Sequence, residues 1–238
     1  MGVRVTQVTQ VTGLSTDSPW RQPSVLPVLP ALRDLLPAGG LPRGAVVTTG
    51  NWGLLSLALV AGASAAGAWC AVAGLPHLGV AAAADAGVDP DRMLLVADPG
   101  PGWPQVVASL LDGCELVLLR PPDPPSAPMR RRIEAAVRRA GGVLVVAGDW
   151  DGAQIRLLIT RQEWTGIGPG HGRLRSRRAQ VEVDGRGAAA RVRARWLWLP
   201  GPDGSVAVAD EPETSREPSW PSGPAWPSVS AAAARSTG

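Results

Sequence analysis

The chain has no lysine, no tyrosine and no phenylalanine, and asparagine occurs once, at Asn51. All 23 basic residues are therefore arginine. Lysine, asparagine, tyrosine, phenylalanine and isoleucine share A/T-rich codons, so this bias points to a GC-rich genome, of the actinobacterial kind. Neither the missing lysine nor the 10 tryptophans can then be read as function without a further argument. Cysteine is scarce too: Cys70 and Cys114 each sit in an apolar run, which excludes a disulfide framework and predicts two buried free thiols in a reducing cytosol. His77 and His171 are far apart and have no Cys/His company, so no metal is expected. The opening "MGVRVTQVTQVTG" has no apolar h-region and does not read as a secretory leader, so the expected location is cytoplasmic.

One long uncharged stretch exists, "GLLSLALVAGASAAGAWCAVAGL" at 53–75, and it is long enough to span a bilayer. It is Ala/Gly-rich, is interrupted at Gly62 and Gly67, and has no arginine cluster at either end. A buried helix, a glycine turn and a buried strand account for it without a membrane, with a span as the alternative.

What is present suits a folded protein. A 238-residue chain with 45% hydrophobic residues can bury one substantial core. Residues 1–30 are Thr/Ser/Pro-rich and read as a flexible arm with one docking segment, "VLPVLPAL". Residues 201–238 are rich in Pro, Ser and Gly and poor in aliphatics, which predicts a disordered tail carrying Trp220 and Trp226. Those tryptophans are partner anchors or chance occurrences.

Between the tails, over 31–200, apolar runs alternate with helical patterns. Strands are expected at 45–49, 68–74, 92–98, 114–120 and 143–148, with helices at 53–65, 78–87, 103–113 and 127–142. Continuous apolar strands separated by helices predict an α/β fold, a mostly parallel sheet sandwiched by helices. Three further strands, at 154–161, 173–184 and 188–200, predict an antiparallel hairpin at the end, turned by "DGRG" at 184–187.

Charge is unevenly placed. Residues 1–119 carry five arginines against eight acids, 120–195 carry sixteen against seven, and 196–238 carry two against five. Strand alternation puts Arg191, Arg193 and Arg195 on one face of their strand and Arg173, Arg175 and Arg177 on one face of its partner. If the faces coincide, six guanidiniums form one basic patch for a phosphate backbone or an acidic partner, with Val192, Ala194 and Trp196 turned to the core. The plain alternative is a solvated sheet face. Arg130, Arg131 and Arg132 add charge near the start of the 127–142 helix. Arg138 and Arg139 near its end also favour the helix C-terminus.

The segment "VVTTGNWGLLSLAL" at 46–59 has the layout of a phosphate loop: a short strand, a glycine turn, a helix. A working loop reads GxxxxGK[ST], with backbone N–H groups and lysine on phosphate and a hydroxyl on magnesium. Here Gly53 takes the second glycine, Leu54 the lysine position and Leu55 the hydroxyl position. GC pressure on lysine would leave arginine, so codon bias does not explain Leu54. Trp52, between Asn51 and Gly53 and two residues after Gly50, is expected to fill the vacated pocket.

The order "GGLPRGAVVTTG" (39–50), "LALVAGASAAGAWCAV" (57–72) and "AGVDPDRMLLVADPGPGWPQVVASLL" (86–111) resembles the RecA core. The stretch "LLITRQEWTGIGPGHGRLRSRRAQVEV" resembles a divergent RecA-like group, the SulA/ImuA-like proteins, among them the actinobacterial ImuA-prime mutasome accessory factors. The resemblance implies a RecA-like fold and a role in DNA repair, the SOS response and translesion synthesis. It implies a polymerase adaptor and an error-prone polymerase as partners, with DNA as a further one. The family's acidic strand end falls on Arg120, and its glutamate position falls in "GLPH" (74–77), where no carboxylate stands. These losses predict a pseudo-ATPase with no catalytic residue, metal or cofactor. A stand-alone DNA-binding protein and an ATP-dependent recombinase are the alternatives.

Overall fold

The computed structural model describes residues 24–168, 171–187 and 191–212, with the side chains of 167, 168 and 171–173 excepted. Strands and helices alternate as β3 (Val46–Thr48), α1 (Leu54–Ala65), β4 (Cys70–Ala73), α2 (Val80–Asp85), β5 (Met93–Val96), α3 (Trp103–Gly113), β6 (Leu116–Leu119), α4 (Ala127–Ala140) and β7 (Val143–Val146). Two strands precede them, β1 (Val25–Pro27) and β2 (Gly40–Pro42). Four follow: β8 (Ile155–Gly168), β9 (His171–Gly185), β10 (Arg193–Trp198) and β11 (Ala207–Val208).

The nine-stranded sheet runs β11-β10-β9-β8-β3-β7-β6-β4-β5. From β8 to β5 neighbouring strands are parallel, and from β8 to β11 they are antiparallel. The fold is thus a mixed α/β sheet flanked by helices and closed on one side by antiparallel strands. Every residue of β3, β4, β6 and β7 is buried. Such short strands carry no charge because both faces are covered, as a parallel sheet requires.

One face packs α1, Ala83 of α2 and the chain from Leu26 to Leu41 against Val47, Val72, Leu118 and Val145. The other packs α3 and α4 against Val46, Ala71, Val117 and Leu144. Helix α4 begins at Ser126, whose hydroxyl accepts from the Met129 amide, and ends at Gly141 in the left-handed region. Arg138 and Arg139 lie in its last turn, where they complement the helix dipole.

Regular structure reaches into both segments whose composition suggested none. Leu26 and Val28 are buried, and β1 pairs with β2 in a small antiparallel sheet. The expected arm over 1–30 therefore meets the core from Ser24 on, and residues 1–23 lie outside the described residues. Downstream of 200, Ala209 is buried and β11 extends the sheet, while Trp220 and Trp226 lie outside the described residues. The uncharged stretch at 53–75 is a 12-residue helix followed by β4. No described helix is long and apolar enough to cross a membrane.

Gly62 explains how the N-terminal segment seats itself. A Cβ there would lie 2.3 Å from the Val28 Cα and 2.4 Å from the Leu29 amide nitrogen, so only glycine lets the two backbones touch. Gly62→Ala should cost at least about 2 kcal/mol by overpacking. Gly67→Ala, at φ 91° with open space around it, should cost about 1 kcal/mol from backbone strain alone. Chemical denaturation of both variants checks the order, and equal losses would refute it.

The two thiols lie in the core on opposite sides of the sheet, Cys70 with α1 and Cys114 with α3. Burial, then the neighbouring Cys114 and Glu115, pushes the Cys70 thiol up to about 12, and burial pushes Cys114 up to about 11. Their ordinary value is 9.0, so in the folded state both hold their protons beyond the pH at which the unfolded chain sheds them. The stabilising effect is complete below about pH 9 and is lost as pH rises toward the folded values. Melting temperature should fall between about pH 8 and about pH 10.5, and a Cys70→Ala/Cys114→Ala variant should lose this part of the slope. Identical slopes would contradict the assignment.

Candidate functional site

Three parallel strands end at one cleft. β6, β7 and β3 are adjacent in the sheet, and their C-terminal loops line a cavity of about 520 Å³. Gly50, Asn51 and Trp52 come from the loop after β3, Arg120 and Asp123 from the loop after β6, and Asp149 from the loop after β7. The crevice outside the carboxyl ends of parallel strands, where connections leave in different directions, is where α/β sheets bind ligands.

The glycine loop has a defined shape. Gly50 has φ 66°, in the left-handed region, and the Asn51 amide donates to the Thr49 carbonyl at 2.8 Å. The Thr49 and Ser56 hydroxyls hydrogen-bond at 2.7 Å, and both also reach the Asn51 carbonyl, at 3.3 and 3.4 Å. This buried pair ties the loop to the first turn of α1. Helix α1 starts at Leu54, with Gly53 as its N-cap and no side chain capping it. Leu54 is half-buried and Leu55 buried, both against the α1 side of the core. The positions that carry lysine and hydroxyl in a phosphate loop thus serve packing.

Trp52 lines the cleft and packs half-buried against the same core. It forms a wall and leaves the cavity open, which differs from the filled pocket expected of it. Arg120 is exposed at the end of β6, and its amide donates to the Ala73 carbonyl. The cleft is not free of carboxylates. Asp123 and Asp149 line it, one beyond each of two strand ends. Alignment on the phosphate loop overlooks them; their position just after apolar strands was the available signal. Among the described residues no group of three His, Cys, Asp or Glu side chains is placed to hold a metal ion. His77 is exposed in the loop after β4 and does not line this cleft.

The arginine candidates do not form the single patch expected. Arg193 stands opposite Val183, and Arg195 opposite Val181. Arg177 shares that face of the sheet but stands four residues along β9 from Val181 and six from Val183, roughly 13 to 20 Å at strand rise, and Arg175 lies two residues further on. Arg173 is on β9 as well, and its side chain lies outside the described ones. Arg191 is exposed just ahead of β10. Arg195 is ion-paired to Asp34 at 2.6 Å, which fixes β10 to the segment beneath it.

The alternation at β10 is also one residue out of the expected phase. Leu197 opposes buried Ala179 on the covered face, so Arg193 and Arg195 share its side and Val192 is 60% exposed. Trp196 is buried on the opposite face and Ala194 is exposed. On α4, Arg130 pairs with Asp151 at 3.2 Å, while Arg131 and Arg132 are exposed. The basic candidates therefore belong to at least three separate surfaces.

A second concentration of arginine and tryptophan appears instead where β8 and β9 leave the sheet. The Arg177 guanidinium lies over the Trp164 ring, 5.2 Å from its centroid, and Arg178 lies 5.7 Å from the Trp198 centroid on the opposite face. Arg177 is anchored by its Nε to the Leu199 carbonyl at 2.7 Å and by Nη1 to Gln162 at 3.3 Å. Burial lowers its pKa from the ordinary arginine value. Arg178 is ion-paired to Glu163 at 3.0 Å.

Comparison with known proteins bears on the cleft. An uncharacterized protein of Mycobacterium tuberculosis, Rv3395c, is 38% identical over 128 residues, which cover 52% of this chain and 63% of the relative. The chain thus matches less than two thirds of that protein's length. The family model of the MT3502 N-terminal domain matches residues 34–152, which take in β3 through β7 and all three loops of the cleft. The chain belongs to the MT3502 N-terminal domain family.

Proposed function

We propose that this chain is a non-catalytic, RecA-like accessory protein of DNA-damage tolerance. It works by binding partner proteins, a polymerase adaptor and an error-prone polymerase, and by touching DNA, without turning over ATP. The observation that carries this reading is the cleft at the ends of β3, β6 and β7. A strand, a glycine loop and a helix meet there in the layout of a phosphate site, yet Leu54 and Leu55 point their chemistry into the core and Arg120 replaces an acid. Phosphoryl transfer is almost wholly positioning and electrostatics around phosphate and metal. A lysine-to-leucine and a hydroxyl-to-leucine change remove the groups that do both.

The cleft nevertheless keeps a cavity with a guanidinium and two carboxylates. That combination suits polar contact with a protein segment as well as it suits a small molecule. The reading of the chain as a stand-alone DNA-binding protein through one six-arginine patch finds less support, because register and ion pairing separate those side chains. An ATP-dependent recombinase would need the lost groups restored.

Two measurements test the proposal. Fluorescent ATP with magnesium should show no saturable binding below the millimolar range, and micromolar affinity would refute the pseudo-ATPase reading. A pulldown of the tagged full chain from DNA-damaged cells should recover a polymerase or its adaptor. Recovery of neither, with the bait folded and expressed, would refute the accessory role.

A further inference from the structure

The antiparallel pair β8 and β9 runs on past the sheet. Among the described residues β3 meets β8 only at Ile155 and Arg156, and β10 meets β9 only from Arg178 to Val183. Beyond these, the pairs Trp164–Arg177, Thr165–Ser176 and onward to Gly168–His171 form a two-stranded arm. Its root is tied down at Arg177, whose amide donates to the Pro200 carbonyl and whose Nε donates to the Leu199 carbonyl.

The arm is basic. Residues 161–178 carry Arg161, Arg173, Arg175, Arg177 and Arg178 against Glu163 alone, a formal charge of +4. It also exposes a large ring: Trp164 is 44% exposed even with the Arg177 guanidinium against it. Gln162, Trp164 and Arg177 share one face, set by the alternation and by the Trp164–Arg177 pairing, and Gln162 accepts from the Arg177 guanidinium. Arg175, two residues before Arg177 in the chain, is exposed where the pairing of the two strands turns irregular.

This combination discriminates among ligands. Arginine alone would suit any anion, including an acidic peptide. An exposed indole held in place by a cation is suited to a flat π-face, and contributes little to a carboxylate. The bases of a duplex hide their faces in the stack, whereas an unpaired base offers one. A guanidinium anchored by two other hydrogen bonds holds the ring in position before any ligand arrives, which lowers the ordering cost of binding.

We propose that the β8–β9 arm is a binding surface for single-stranded nucleic acid, with Trp164 stacking on an unpaired base and Arg175 and Arg177 meeting the flanking phosphates. The inference deepens the DNA contact in the proposed function and rests on it. It moves that contact from the six-arginine hairpin to the preceding one, and adds a tryptophan to it.

Fluorescence anisotropy of labelled oligothymidylate with the full chain, over a range of salt concentrations, tests this. Binding should weaken steeply with salt. Trp164→Ala should weaken it about tenfold, and Trp164→Phe, which keeps a π-face, should retain most of it. Arg175→Ala should lower the salt slope by about one, because one phosphate contact is lost. Thermal unfolding midpoints equal to the parent's establish that these exposed-site variants fold, and Arg175→Glu, which should abolish most binding, serves if Trp164→Ala does not fold. Absence of binding, affinity indifferent to Trp164→Ala, or equal affinity for duplex DNA or polyglutamate would overturn the inference. Loss of oligonucleotide binding with partner recovery intact would remove this surface alone. Oligonucleotide binding with no partner recovered would remove the accessory role and leave the arm standing.

Discussion

A parallel sheet whose strands are buried on both faces cannot stand alone. Each of its faces must be covered, because the connections between parallel strands have to cross it and the strands themselves have no polar side to offer water. β3, β4, β6 and β7 are uncharged and wholly buried, so α1 with the N-terminal segment on one side, and α3 with α4 on the other, are conditions of the sheet's existence. Close contact of Val28 and Leu29 with Gly62 belongs to the same requirement. The N-terminal segment is the part of the cover that lies over α1. The constraint relaxes at β8, where antiparallel pairing begins and strands tolerate one wet face.

That change of regime divides the molecule chemically. The parallel half is nearly free of charge inside and gathers its polar groups at the strand ends, where the cleft lies. The antiparallel half carries arginine on its surfaces. Three of its arginines, Arg177, Arg178 and Arg195, face a carboxylate, a carbonyl or a tryptophan in different places, so they do not act as one field. Strong positive charge in one stretch of sequence thus becomes several small, separately aimed surfaces. The family match ends at residue 152, before β8 begins, so the cleft belongs to the shared part and the arm lies outside it.

Much of the architecture was legible. The strands around 116–119 and 143–146 are recognisable as uninterrupted apolar runs, and the helix 103–113 as a mixed apolar and polar pattern ending at Gly113, and the structure places them there. The β10 side chains were not legible. Alternation tells which residues share a face but not which face is covered, and the pattern at 191–197 has apolar residues on both faces. Leu197 opposing Ala179 decided it, and a one-residue choice of phase inverted the whole strand. The arm was hidden for a related reason: "QEWTGIGPGHGRLRSRR" reads as loop and strand ends, since glycine and polar residues dominate it. Its pairing is a long-range fact, and the Trp164–Arg177 contact follows from register alone.

By itself the sequence determined the alternating strands and helices from 45 to 148 and their order, the apolar residues Leu54 and Leu55 after the glycine loop, and the excess of arginine after residue 119. These are local properties: periodicity, residue identity and composition act within a turn or a strand. Only the tertiary structure decided that Asp123 and Asp149 meet Arg120 at one cleft, that the arginines fall on separate surfaces, and that Trp164 stands exposed on an arm. Those outcomes depend on which strands become neighbours and with what offset. Neighbours and offsets are chosen by burial summed over the whole sheet, which no single stretch of the chain contains.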